Sequence, residues 1–164
     1  MDISNCDMCS ETEVCVNTKD GSHVCLNRGG CQTADWVPFN HKCYFFRGQE
    51  TSADENIMFC ETMNTKLVRI NNAQDKAFLE TEMINRGIAN MWLAANDRAV
   101  EDEWVWGPGD GVLNAVWGVN EPNNAGNEDC AELELNQTVA FWNDLNCALH
   151  YSGAVCEDHY KIYL

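Results

Sequence analysis

Glu121-Pro122-Asn123-Asn124-Ala125-Gly126-Asn127-Glu128-Asp129-Cys130 is followed a little further on by Trp142-Asn143-Asp144. The two stretches concentrate carboxylates and carboxamides, and no basic residue stands between Glu121 and Asn146 to neutralise them. Acidic groups this dense repel one another unless a cation sits among them. Oxygen-only ligands suit a hard ion, with Ca²⁺ first because it accepts roughly 6–8 oxygens in flexible geometry.

The rest of the chain supports a small extracellular globule. Its 164 residues are enough for one full core and a small appendage. No apolar run reaches the roughly 18 residues needed to span a bilayer, so membrane insertion is not expected. Met1-Asp2-Ile3-Ser4 has neither a charged n-region nor an apolar h-region and reads as no signal peptide. Ten cysteines form an even set, which in a small acidic chain argues for five disulfides and an oxidising, secreted location. Cys6-x-x-Cys9 offers half a zinc site, but no second CxxC or paired histidine completes it. The sequon Asn136-Gln137-Thr138 fits a secreted or cell-surface glycoprotein. The formal net charge of −16 disfavours nucleic acid and anionic membranes as partners.

Residues 1–27 differ from the remainder of the chain, with four cysteines, few apolar groups and the turn signal Asp20-Gly21 between Cys15 and Cys25. So short a piece needs covalent staples to fold. Asn27-Arg28-Gly29-Gly30 reads as the joint, with the main domain over 28–164. Beyond it, Cys43-Tyr44-Phe45-Phe46 reads as the second strand of a hairpin. Ser52-x-x-Glu55 is a capping box opening a helix that carries Ala53, Ile57, Cys60 and Met63. A second helix begins near Asn72, carries Ala77, Phe78 and Met83, and stops at Gly87. Strand candidates are Met91-Trp92-Leu93, Trp104-Val105-Trp106, Ala140-Phe141-Trp142 and Gly153-Ala154-Val155-Cys156. The Gly-, Asn- and Pro-rich stretch between Gly107 and Asn127 reads as a long functional loop. The aromatic weight of Trp92, Trp104, Trp106, Trp117 and Trp142 is read as core rather than as platforms for a ligand.

These residues together resemble the long form of the C-type lectin-like domain. The resemblance rests on Cys31, Trp36, Cys43-Tyr44, Cys60, Trp92-Leu93-Ala94-Ala95, Glu121-Pro122-Asn123, Cys130, Trp142-Asn143-Asp144, Cys147 and Cys156. It implies an α+β fold with two helices, small antiparallel sheets and a long calcium-binding loop, closed by Cys31–Cys43, Cys60–Cys156 and Cys130–Cys147. The N-terminal piece is similar to a truncated EGF-like or follistatin-type module, which implies Cys6–Cys15 and Cys9–Cys25. One departure is Ala94, where the family usually has glycine.

The resemblance further implies that Glu121, Asn123, Glu128, Asn143 and Asp144 hold a sugar-binding Ca²⁺, with a cis Glu121-Pro122 bond. A second, structural Ca²⁺ would use Asp97, Glu101, Asn124, Glu128 and Asp129. The Glu121…Asn123 order goes in the family with mannose, N-acetylglucosamine, glucose and fucose, and the reversed order with galactose. The implied function is non-enzymatic: calcium-dependent binding of glycans ending in mannose-type sugars, with copies assembled for avidity. The alternatives are a galactose-type lectin, a protein-binding adhesion or inhibitor module, and an ice-binding module. Glu121 with Glu128 does not suit a glycosidase pair, because carboxylates bound to one cation are poor proton donors.

Overall fold

The computed structural model describes residues 13–17, 19–27 and 30–159. They divide into two compact units, one of the described residues up to Phe45 together with those from Asp158 onward, the other Phe46–Glu157. In the first unit, β1 (Glu13–Asn17) and β2 (His23–Asn27) form an antiparallel hairpin with Cys15 opposite Cys25. Its tip is closed by Asp20, whose carboxylate accepts from the Ser22 amide and hydroxyl, and by Gly21 at φ 84°, a left-handed value that favours glycine. Cys15 and Cys25 are disulfide-bonded, whereas the expected partners Cys6 and Cys9 lie outside the described residues. A second hairpin pairs β3 (Val37–Phe39) with the start of β4 (Lys42–Thr51) across Asn40 and His41, both at positive φ. The expected Cys31–Cys43 bridge closes it, and buried Trp36 packs 5.5 Å from the Phe45 ring.

The second unit opens with α1 (Ala53–Thr62), whose capping box is formed as expected: Glu55 N–H donates to Ser52 Oγ and Ser52 N–H to Glu55 Oε2. Its buried face, however, is Ala53, Asn56 and Cys60 rather than a wholly apolar stripe. Asn56 is fully buried and acts as a hub. Its amide donates to the carbonyls of Thr51, Ser52 and Ser152, and its Oδ1 accepts from Arg47 at 2.8 Å. After the two-residue strand β5 (Lys66–Leu67), α2 (Ala73–Arg86) starts on the Asn72 cap and ends at Gly87, φ 68°. Leu79 and Met83 face the core; Ala77, expected there, is not among the buried residues, because the inward stripe runs at i, i+4, i+8 from Asp75.

The sheet of this unit runs β10 (Val139–Leu145), β9 (Cys130–Asn136), β6 (Asn90–Asn96), β11 (Ser152–His159) and β4. The short strands β7 (Val105–Gly107) and β8 (Asp110–Gly111) extend from β6, and β5 pairs with β11. The expectation of antiparallel sheets is corrected between β6 and β11, which pair in parallel, Met91 with Gly153 and Trp92 with Ala154. Alternating apolar residues specify which face is buried but not strand direction, so the pattern could not carry this. Gly153 is fixed by proximity: a Cβ there would lie 3.2 Å from Asn90 O and 3.4 Å from Arg47 O. Met91, Trp92, Leu133, Trp142 and Val155 fill the core with Leu79 and Met83. The expected bridges Cys60–Cys156 and Cys130–Cys147 are both present. Among the described residues no helix is long and apolar enough to cross a membrane.

Replacing Asn56 with alanine leaves the Arg47 guanidinium and three carbonyl groups without their central partner. Denaturant unfolding of Asn56→Ala is expected to show a loss of about 2–4 kcal/mol. A loss below about 0.5 kcal/mol would contradict the hub.

Candidate functional site

The segment after β8 is tied to the outer edge of β10 before it reaches the acidic stretch. Trp142 N–H donates to Val116 O and Gly118 N–H to Trp142 O, both at 2.8 Å. Beneath it, aromatic rings meet edge to face: Trp104 on Trp117 at 4.8 Å, Trp117 on Trp142 at 5.5 Å, Trp142 on Trp106 at 5.4 Å. Trp92, Trp106 and Trp142 are buried as expected of core; Trp104 and Trp117 are half-buried. Asn120, Asn124, Gly126 and Asn127 all have positive φ, which explains the asparagine and glycine content of the loop. The Glu121-Pro122 bond is cis.

One carboxylate gathers the site. Asp144, 1% exposed on β10, accepts the Asn123 N–H at 3.0 Å and the Asn124 N–H at 2.7 Å. The Ala125 N–H reaches both Asn123 Oδ1, at 2.8 Å, and Glu128 Oε2, at 3.0 Å. Asn124 Oδ1 accepts the Glu128 N–H at 2.7 Å, closing a compact turn. Glu121, Asn123, Asn124, Glu128 and Asp144 are thus brought together, with Glu121 in side-chain contact with Asp144. Asn143 lies on the same strand directly opposite Glu132.

Next to this turn lies a second group. Asp97, Glu101 and Asp102 offer carboxylate oxygens within 4.8 Å of one another, the one such trio among the described residues. Asp97 N–H donates to Asp129 O at 3.1 Å, and Glu101 bonds the Asn124 side chain, so the two groups share Asn124. Asp102, whose N–H donates to Asp97 Oδ2 at 2.9 Å, is a member that the sequence does not single out. Its left-handed φ of 65° turns it back onto Asp97, and nothing in the spacing signals that turn. Glu132 escapes sequence reasoning as well. It is 2% exposed and accepts from Ser152 Oγ and from Asn90 Nδ2. A lone charge in the apolar run Ala131-Glu132-Leu133 is the available hint.

The electrostatics are those of crowded carboxyl groups. Burial comes first in raising the carboxyls of Asp97, Glu121 and Glu128 above their ordinary range, with neighbouring carboxylates adding to it. Glu101 is raised by lost hydration and then by Asp97, Asp102 and Asp129. The ion pairs Arg69–Asp110, Lys76–Glu80, Arg86–Glu82 and Arg98–Asp54 involve none of these groups. Glu121 Oε2 and Asp97 Oδ1 are buried with no hydrogen-bond partner. Unpartnered buried oxygens inside an all-oxygen cluster fit a hard divalent cation.

Comparison with known proteins bears on the fold that carries these residues. A family model described as "Lectin C-type domain" matches residues 49–158. The chain is 39% identical over 112 residues to the human protein "C-type lectin domain family 17, member A", a match covering 68% of this chain and 28% of that protein. It is 33% identical over 127 residues to the mouse "CD209 antigen-like protein D", covering 74% and 51% respectively. The chain therefore spans only about a quarter to a half of the length of these curated relatives. Among solved structures, the mouse scavenger receptor C-type lectin carbohydrate-recognition domain superposes with a TM-score of 0.72 at 27% identity, covering 80% of this chain and all of that one. The cow C-type carbohydrate-recognition domain of CD23, solved in the presence of a GlcNAc2Man3 oligosaccharide, gives 0.71 at 25% identity, covering 80% and 98%.

Raised carboxyl groups make the ion-free native chain bind more protons than the unfolded chain, from about pH 4 up through the raised values. In that window their contribution to stability falls as pH rises. Calcium is therefore expected to raise Tm most near neutrality, with the gain vanishing as the pH approaches about 4. Melting curves in calcium and in EDTA across that range check this; an equal calcium gain at every pH would contradict carboxylate ligation.

Proposed function

The chain belongs to the C-type lectin domain family, and from that premise we propose that it is a calcium-dependent lectin for mannose-type sugars: mannose, N-acetylglucosamine, glucose and fucose. The observation that carries this reading is the convergence of Glu121, Asn123, Glu128 and Asp144 on one turn, with a buried Glu121 oxygen left unpartnered. Glu121, Asn123, Glu128, Asn143 and Asp144 would hold the sugar-binding Ca²⁺. Asp97, Glu101, Asn124, Glu128 and Asp129 would hold a second, and the position of Asp102 beside Asp97 and Glu101 adds it to that set. The bound ion supplies open coordination places for two vicinal sugar hydroxyls. The protein's part is to orient them. A carboxylate only accepts hydrogen bonds, whereas a carboxamide also donates, so Glu121 and Asn123 set an acceptor and a donor in fixed order around the two hydroxyls. The Asp97 group steadies the loop through Asn124 and Asp129, lowering the ordering cost of binding.

One site with two coordinated hydroxyls is weak, roughly millimolar or about −4 kcal/mol. Useful binding to glycans then requires several copies held together. Residues 1–27 are proposed as a small disulfide-stapled module, EGF-like or follistatin-like, next to a recognition domain over 28–164. The three disulfides of the recognition domain favour an extracellular setting, and the exposed Asn136 favours a glycoprotein.

On mannose-agarose the protein is expected to bind in calcium and elute in EDTA. Retention in EDTA would overturn the calcium dependence, and failure to bind mannose or galactose in any buffer would overturn the reading and favour a protein ligand. The double variant Glu121→Gln with Asn123→Asp is expected to shift competition from free mannose to free galactose by about tenfold or more. Unchanged competition by mannose would refute the donor-order argument.

A further inference from the structure

Glu132 has no part in the ion sites proposed above, yet it is a carboxylate on β9 that is only 2% exposed. Its neighbours in the chain, Ala131 and Leu133, are fully buried. None of the ion pairs named above includes it. A charge in such a place is costly unless hydrogen bonds hold it. Three side chains do so. Ser152 Oγ on β11 donates to Glu132 Oε2, Asn90 Nδ2 on β6 donates to Oε1 at 3.0 Å, and the Asn143 side chain bonds it from β10. Burial pushes the Glu132 carboxyl up and the Glu134 charge adds to this, while the three bonds work against both.

The three partners differ in what holds them. Ser152 is buried, and its carbonyl accepts from Asn56 Nδ2, so it is tied to the hub at the start of α1. Asn90 lies within the sheet, paired with Glu134 across β6 and β9. Asn143 is half-buried and stands directly opposite Glu132 on the neighbouring strand. Glu132 is therefore braced from the core, and the Asn143 side chain rests against it. The chemistry of that contact sets an orientation. A carboxamide ends in an oxygen and a nitrogen of nearly equal shape, and sterics alone do not choose which of them faces outward. A carboxylate accepts and does not donate, so Asn143 meets it with an N–H, and Oδ1 is left for another partner. A hard cation needs that oxygen.

We propose that Glu132 is a positioning residue for the calcium site: it holds the Asn143 carboxamide by its nitrogen, so that the oxygen is presented to the ion. The proposal rests on the lectin reading above. Glu132 does not touch the ion itself, because its oxygens are engaged within the core. An apolar residue at 132 would continue the run from Ala131 to Leu133 and fill the same space. It would also leave the Asn143 carboxamide free to rotate. Partners that orient a metal ligand in this way commonly set metal affinity by roughly 10–100-fold.

The test compares the full wild-type chain with Glu132→Leu, which keeps the bulk and removes the acceptor, and Glu132→Gln, which keeps an acceptor oxygen. Without calcium, ¹⁵N spectra follow the Asn143 side-chain amide, identified by its loss in Asn143→Asp. Its hydrogen exchange is expected to be about tenfold faster in Glu132→Leu and within about threefold of wild type in Glu132→Gln. In calcium, calorimetry is expected to show two ions, with Asp97→Ala marking the second. Affinity for the first is expected to fall about tenfold or more in Glu132→Leu and to return within about threefold in Glu132→Gln, the second staying within about twofold. Ser152→Ala frees one oxygen of Glu132 and serves if Glu132→Leu does not fold: a loss of about threefold at the first ion is expected, and none would overturn the role. Unchanged amide exchange or unchanged affinity in Glu132→Leu overturns it, as does a Glu132→Gln variant no better than Glu132→Leu. Equal loss at both ions also overturns it, since that marks a residue that only supports the fold. A wild-type chain that binds no calcium overturns the lectin reading, and this role with it.

Discussion

Asp144 carries the constraint on which the site depends. Its buried carboxylate accepts two backbone N–H groups from the long loop, and so fixes the loop to strand β10 at the point where the acidic residues gather. Hydrogen bonds to an ionised acceptor contribute roughly 1.5–3 kcal/mol each. Against them stand the desolvation and mutual repulsion that raise the carboxyls of Glu121 and Glu128. The loop is held by geometry and opposed by charge. In the function proposed, a divalent cation would relieve that opposition.

The support beneath the loop is rigid. The Trp104–Trp117–Trp142–Trp106 series links the loop to the sheet, and the Cys130–Cys147 bridge joins the residue after Asp129 to the segment after Asp144. Arg98 lies against that bridge, its Nε 3.3 Å from Cys147 Sγ and its Nη2 3.4 Å from Cys130 Sγ, and pairs with Asp54 at the start of α1. The Asp54 N–H in turn donates to Cys147 O. Helix, bridge and strand ends are therefore locked around the acidic turn. Such a scaffold tolerates change in the loop it holds.

Much of this was legible in the sequence because its signals are local. The Ser52–Glu55 capping box, the Asn72 cap, the Gly87 stop and the Asp20-Gly21 turn each depend on a few neighbouring residues, and each is formed. The bridges Cys31–Cys43, Cys60–Cys156 and Cys130–Cys147 were available only through the resemblance, since spacing alone allows many pairings. What escaped was set by the fold. Asn56 and Glu132 are polar groups at core positions, and a polar residue in a sequence reads as surface unless its partners are known. Asp102 joins Asp97 and Glu101 through a left-handed turn, and the parallel pairing of β6 with β11 is set by chain path rather than residue type.

A crystal grown with calcium and methyl α-mannoside tests the central claim most directly. Expected is density for one ion ligated by Glu121, Asn123, Glu128, Asn143 and Asp144, with two vicinal hydroxyls of the sugar completing its shell. A sugar bound away from these residues, or a turn filled by water with no ion despite saturating calcium, would contradict it.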